Sequence, residues 1–140
     1  GAGTLFPQPR VEGSRGAGIL LDDAVSAGWR VFVWNNDPAK FLSPDTQARL
    51  VDLDASLVQL VPSAQLNWAA ANATAGVTVL GDPAGVLKSW FHARPVSAVV
   101  VRPDHVIAAE CLAQDLDSTL RTIFLKAHLR PARERAAATA

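Results

Sequence analysis

Trp29-Arg30-Val31-Phe32-Val33-Trp34, closed by Asn35-Asn36-Asp37-Pro38, reads as one β-strand running into a turn. β-Branched and aromatic residues fill it, and the apolar run is continuous enough for a strand covered on both faces. The Asn-Asn-Asp-Pro stop supplies side chains that bond their own backbone and a ring that fixes φ.

Working outward, Ser43-Pro44-Asp45 is a helix start. The serine oxygen can accept from orphan amides, and proline at the first helical position loses no bond. That helix is expected to reach about Leu53, burying Ala48, Val51 or Leu50, and Leu53 on one face. A second strand spans Leu57 to Val61 and stops at Pro62. Leu66 to Ala73 is helix-permissive, and Gly76 separates it from a third strand, Val77 to Leu80. Asp82-Pro83 repeats the start signal and predicts a helix through Val86, Leu87, Trp90 and Phe91. Val96 to Val101 and Val106 to Ala109 flank Arg102-Pro103-Asp104-His105, the composition of a β-hairpin. A closing helix over about 115–129 places Leu116, Leu120, Ile123 or Phe124, and Ala127 on one side. Upstream of the first strand, Ile19 to Val25 predicts a short helix ended by Gly28. Phe6-Pro7-Gln8-Pro9-Arg10 predicts an extended path with Leu5 and Phe6 tucked in. Strands alternating with helices and ending in a hairpin imply an α/β mixed central sheet with helices on both faces, which fits a thioredoxin-like sandwich. The expected organisation is an extended N-terminal arm over 1–18, the domain over 19–130 and a flexible tail over 131–140.

Size and charge agree with one such domain. The chain has 140 residues, 49% hydrophobic and 19% charged, and at that length folding removes roughly two-thirds of the extended chain's surface from water. Thirteen basic residues offset thirteen acidic ones, so nothing draws the whole domain to nucleic acid or an anionic membrane. Apolar runs such as Val96 to Val101 are too short to span a bilayer, and no signal-peptide pattern opens the chain. A cytoplasmic location is expected.

The residues carry little chemistry. A thioredoxin-type dithiol needs two cysteines at the end of the first long strand, where a helix N-terminus lowers the nucleophile's pKa. Asn35, Asn36 and Asp37 stand there instead, so disulfide exchange and peroxidase chemistry at that place are excluded and the sandwich lacks a CxxC motif. The single cysteine, Cys111, lies six residues after His105, but a lone cysteine usually packs as a small hydrophobe. His92, His105 and His128 fall on separate elements without metal-ligand spacing. Gly13, Gly16 and Gly18 follow no strand, so they make no dinucleotide fingerprint. Asp22-Asp23 and Asp52-Asp54 diverge on their helices and read as solvated. Lys126, His128, Arg130, Arg133 and Arg135 read as a hydrated helix end. Among Trp29, Trp34, Trp68 and Trp90, an exposed one would mark an interface.

Gly3-Thr4-Leu5-Phe6-Pro7-Gln8-Pro9-Arg10-Val11, Leu20-Leu21-Asp22-Asp23, Gly28-Trp29 and Val99-Val100-Val101-Arg102-Pro103-Asp104-His105-Val106 together resemble the C-terminal domain of FAD-dependent aromatic hydroxylases. The branch is the one containing 3-(3-hydroxyphenyl)propionate hydroxylase and related phenol hydroxylases. That resemblance implies a thioredoxin-like domain without redox cysteines, attached to preceding FAD-binding and substrate domains of the same polypeptide. The parent enzyme would use FAD, NAD(P)H and dioxygen to hydroxylate a phenolic or other aromatic substrate. Catalytic, cofactor and metal residues are then expected to be absent from this fragment, which should not hydroxylate anything alone. Phe6, Pro7 and Arg10 in the arm, and Arg102 and Asp104 at the turn, are the expected interdomain contacts, and homodimer contacts are a further expectation. The alternative is a free-standing, redox-inactive thioredoxin-like binding module.

Overall fold

Residues 1–127 are described by the computed structural model, and the expected tail at 131–140, with His128, Arg130, Arg133 and Arg135, lies outside them. Seven strands form one sheet in the order β2-β1-β5-β4-β3-β6-β7. They are β1 (Arg10–Gly13), β2 (Gly16–Leu20), β3 (Arg30–Trp34), β4 (Ser56–Pro62), β5 (Val77–Asp82), β6 (Ala98–Val101) and β7 (Ile107–Cys111). The helices are α1 (Leu21–Ala24), α2 (Pro44–Asp52), α3 (Leu66–Asn72), α4 (Val86–His92) and α5 (Leu116–Ala127).

The strand that anchors the sequence reading is central. β3 pairs in parallel with β4 and antiparallel with β6, while β4 pairs in parallel with β5. Alternation along β3 sends Val31 and Val33 to one face and Phe32 to the other. On Phe32's side Leu21, Leu60, Leu87 and Phe91 close a core under α1 and α4. On the opposite side Leu50, Leu116 and Leu120 bring α2 and α5 onto Val31, Val33 and Val100. α3 covers Val61 and Val79 through Ala69. The mixed sheet with helices on both faces is as expected.

Three local expectations are corrected. The stretch expected to be an extended arm through Gly18 turns back on itself: β1 and β2 pair antiparallel, and Glu12 of β1 registers with Gly81 of β5. Pro7 and Pro9 supply no amide donors, so the hairpin strand begins at Arg10, while Leu5 ahead of them makes an isolated antiparallel bridge to Val106. Phe6 is buried as expected, but Leu5 is 70% exposed. The predicted helix over 19–25 shrinks to the single turn of α1, because Ile19 and Leu20 belong to β2.

The helix expected from Pro83 begins instead at Val86. Gly85 takes φ 74° as its N-cap, a conformation open to glycine at little cost. Asp82 still caps it, since Oδ2 accepts from the Lys88 amide at 2.9 Å. In α2 the Ser43 cap is as expected, with Oγ accepting from Thr46 N–H. Leu50 and Leu53 face inward, whereas Val51 and Ala48 face water.

Candidate functional site

Two ends of β3 hold the polar side chains of interest. At its C-terminal end Asn35 takes φ 59° and donates its N–H to the Leu60 carbonyl at 2.6 Å. Asp37 is buried. Its Oδ1 accepts from the Ala39 amide at 3.0 Å, and its Oδ2 accepts from both the amide and the hydroxyl of Thr74 at 2.7 Å. Where a dithiol fold keeps its nucleophile, this chain keeps a carboxylate committed to holding two loops together. Beside it Asn35, Asn36, Gln59, Trp68 and Asn72 line a groove of about 210 Å³.

At the other end, Arg30 is 2% exposed. Its Nη1 donates to Asp22 Oδ1, its Nε donates to the Ser26 carbonyl at 3.2 Å, and its Nη1 lies 3.3 Å from His105 Nδ1. His105 Nδ1 is also 3.2 Å from Asp22 Oδ1. His105 sits in the β6–β7 turn at φ 70°, with its N–H donating to the Arg102 carbonyl at 3.0 Å. Arg102 pairs with Asp104 at 2.6 Å, and Asp104 Oδ1 accepts from the Val106 amide at 3.3 Å. The N-terminal segment closes over the same turn, with Phe6 N–H donating to the His105 carbonyl and Ile107 N–H to the Thr4 carbonyl. Segments far apart in sequence thus meet in one clasp. It ties α1, β3 and the hairpin, and its charges neutralise one another.

The five residues expected at interdomain contacts are dispersed by this arrangement. Phe6 belongs to the core, stacked on Phe32 with ring centroids 4.9 Å apart and edge-on to Trp90 at 5.0 Å. Pro7 is half-buried. Arg10 is exposed and donates to the Gly18 carbonyl at 2.8 Å across its own hairpin. The Arg102 and Asp104 side chains are 49% and 52% exposed and leave this surface open to a neighbour. The buried Arg30 and Gln59 carry no role in the sequence reading, and Asp37 enters it only as part of the turn at the dithiol position. For Arg30 the signal was present: an arginine inside an apolar strand needs a buried partner.

Cys111 does not meet His105, whose Nδ1 faces Arg30 and Asp22. Burial pushes the Cys111 thiol above its ordinary pKa, a hydrogen bond with Thr119 pulls the other way, and the Asp115 charge adds to the rise. The thiol is therefore protonated at neutral pH, unlike an activated nucleophile. On the same face of the sheet as Cys111, Asp117 of α5 binds the start of α2. Partial burial would raise its carboxyl, but donors override that: the Ser43 amide at 2.8 Å, Thr46, Arg121 and the Ser43 hydroxyl hold it well below the usual carboxylate range. Between these helices Arg49, Arg121, Phe124 and Leu125 border an open groove of about 470 Å³.

No group of three metal-ligating side chains occurs among the described residues, and none of their helices is long and apolar enough to cross a membrane. Neither the turn after β3 nor the start of α4 is open to a flavin pyrophosphate. Such a group needs helix N-terminal amides free to receive an anion. In the 3₁₀ turn Pro38–Phe41 that follows β3, and at the start of α4, amides already bond the Asp37 and Asp82 carboxylates, which would repel phosphate. Asp82 Oδ1 is buried without a partner besides.

A model of the HcaD C-terminal domain family matches residues 3–126. A relative from Mycobacterium sp. (strain JLS), named 3-(3-hydroxy-phenyl)propionate/3-hydroxycinnamic acid hydroxylase, is 40% identical over 91% of this chain but only 22% of its own length. Proteins of the same name from Mycolicibacterium smegmatis and Paraburkholderia xenovorans are 37% and 34% identical, over 96% and 94% of this chain and 24% and 21% of theirs. This chain therefore spans less than a quarter of the relatives it matches. Among solved structures, the C-terminal domain of an uncharacterized Bacteroides fragilis protein superposes with a TM-score of 0.67 at 14% identity, covering 86% of this chain and 97% of that one. A thioredoxin-like protein from Bacteroides caccae gives 0.63 at 12% identity, over 86% of this chain and 49% of that one. The fold is thioredoxin-like, without a CxxC pair.

Proposed function

Because the chain belongs to the HcaD C-terminal domain family, we propose that it is a noncatalytic accessory domain of a flavin-dependent aromatic-ring hydroxylase. The observation that carries this reading is a mismatch of lengths. Relatives named as hydroxylases align with nearly all of this chain, while it accounts for 22% of the first of them. The parent polypeptide would hold FAD and NAD(P)H in its preceding domains, hydroxylate a 3-hydroxyphenylpropionate-type substrate with dioxygen, and work in the cytoplasm.

Local chemistry supports the division of labour. The dithiol position carries amides and a capping carboxylate, the only cysteine is protonated, and the anion positions at two helix starts are taken by Asp37 and Asp82. The polar groups of the clasp bond one another and the backbone around them. What the domain offers a partner is surface.

Sequencing the gene upstream of Gly1, with the flavin absorbance of the purified 140-residue chain beside it, tests the reading. An upstream FAD domain and a colourless fragment are expected. A start codon immediately before Gly1 would overturn it in favour of a free-standing binding module.

A further inference from the structure

Between Asp54 and Asp82 no Asp, Glu, Lys, Arg or His occurs, although 19% of the chain is charged. The strands within this run, β4 and β5, are largely buried, and their lack of charge needs no further reason. The segment between them is different. Residues 64–76 lie mainly on the surface, and Asn67, Trp68, Ala70, Ala71 and Asn72 of α3 all face solvent. Only Ala69 of that helix is buried. A solvated helix ordinarily carries charge on its outer face; this one carries alanines, asparagines and an indole.

Trp68 is 71% exposed, while Trp29, Trp34 and Trp90 are packed against the cores. Its helix is tied down locally, since Asn72 Nδ2 donates to the Trp68 carbonyl at 2.8 Å. The indole borders a groove lined also by Asn35, Asn36, Gln59 and Asn72, by Lys40, and by Asp37, whose carboxylate is taken up by Ala39 and Thr74. Depletion of charge and presence of tryptophan are the compositional marks of a buried interface centre. Side-chain amides at the groove can both donate to and accept from a partner's main chain.

We propose that the α3 face, centred on Trp68 and continued by Asn35 and Asn36, is where this domain docks on the preceding catalytic portion of its own hydroxylase polypeptide. The inference rests on the accessory-domain reading and adds the surface to it. The occupant follows from length: the relatives carry more than three-quarters of their chain outside the matched part, so a large covalently attached neighbour is always at hand. Its contacting surface should be uncharged, with an apolar recess for the indole and exposed main-chain groups opposite the asparagines. Docking would place that surface at the end of β3 away from the Arg30 clasp.

Hydrogen exchange in the full-length polypeptide and in the 140-residue chain tests this, with Trp68→Glu in both. Amides of residues 66–76 and 35–36 should exchange about tenfold or more slowly in the full-length protein. Trp68→Glu should remove that slowing and leave the thermal midpoint of the 140-residue chain within about 2 °C. Slowing at residues 102–105 or in α2 and α5, with none in α3, would overturn the surface while leaving the accessory reading intact. Slowing of α3 in the short chain that grows with its concentration, alongside a dimer mass, would assign the face to a second copy and overturn the proposal too. A gene with no hydroxylase upstream would remove the accessory reading itself, an outcome distinct from both.

Discussion

The Asp22 carboxylate accepts from the buried Arg30 guanidinium and stands 3.2 Å from His105 Nδ1. Taking Arg30 out of water is costly unless its charge is met, and Asp22 is the anion that meets it. Asp22→Asn should therefore lower stability by about 1–3 kcal/mol, since it leaves a buried cation facing a neutral amide. Arg102→Ala, which opens the half-exposed pair with Asp104, should cost no more than about 1 kcal/mol. Urea unfolding of the two variants measures the contrast.

Phe6 is separated from the first strand by two prolines, yet it stacks on Phe32 and meets Trp90 and Phe91 edge-on. Phe6→Ala should cost about 3–5 kcal/mol through lost burial and the cavity left behind. Leu5→Ala, at a 70% exposed site, should be nearly neutral. Thermal unfolding followed by tryptophan fluorescence distinguishes them.

Asp37 joins the end of β3 to the loop before β5 through two hydrogen bonds from Thr74, and a third, from the Ala39 amide, caps the turn that follows it. Asp37→Ala orphans the Ala39 and Thr74 amides and the Thr74 hydroxyl, with an expected loss of about 2–3 kcal/mol. Thr74 should show the largest gain in amide exchange rate.

Asp117 gives the protein an acid-sensitive seam between α2 and α5. Its carboxyl is depressed in the folded state, so its contribution is fully present above the unfolded value of about 4 and is lost as pH falls below it toward the folded value. Asp117→Asn should cost about 1 kcal/mol at pH 7 and flatten the fall in stability below about pH 4. Denaturation midpoints measured from pH 7 to pH 2 give both slopes.

Much of this architecture is legible from local pattern. The runs Val31 to Val33 and Val99 to Val101 announce buried strands, and Ser43-Pro44 announces α2, because period, caps and turn chemistry act within a few residues. The N-terminal hairpin is not legible. Its strands are four and five residues long, Pro7 and Pro9 precede them, and Gly16 and Gly18 take positive φ inside the second. The clasp escapes for another reason: Asp22 and Arg30 are 8 residues apart and Arg30 and His105 are 75 apart, so only tertiary structure joins them. Phe6 reads both as tucked in and as an interdomain contact, because nothing in an FPQP stretch states which way its ring turns. Trp68 was legible as a tryptophan but not as the exposed one, since an alanine-rich helix has no polar face to orient it.

The proposed division between an FAD-holding catalytic portion and a domain that binds no flavin is tested most directly by titrating FAD into the purified 140-residue chain and into the full-length polypeptide, following flavin fluorescence. The short chain should leave the flavin signal unchanged at every concentration, while the full-length protein should bind FAD and hydroxylate 3-(3-hydroxyphenyl)propionate at the expense of NAD(P)H. Saturable FAD binding by the short chain, abolished by changing residues at its own helix starts, would contradict it.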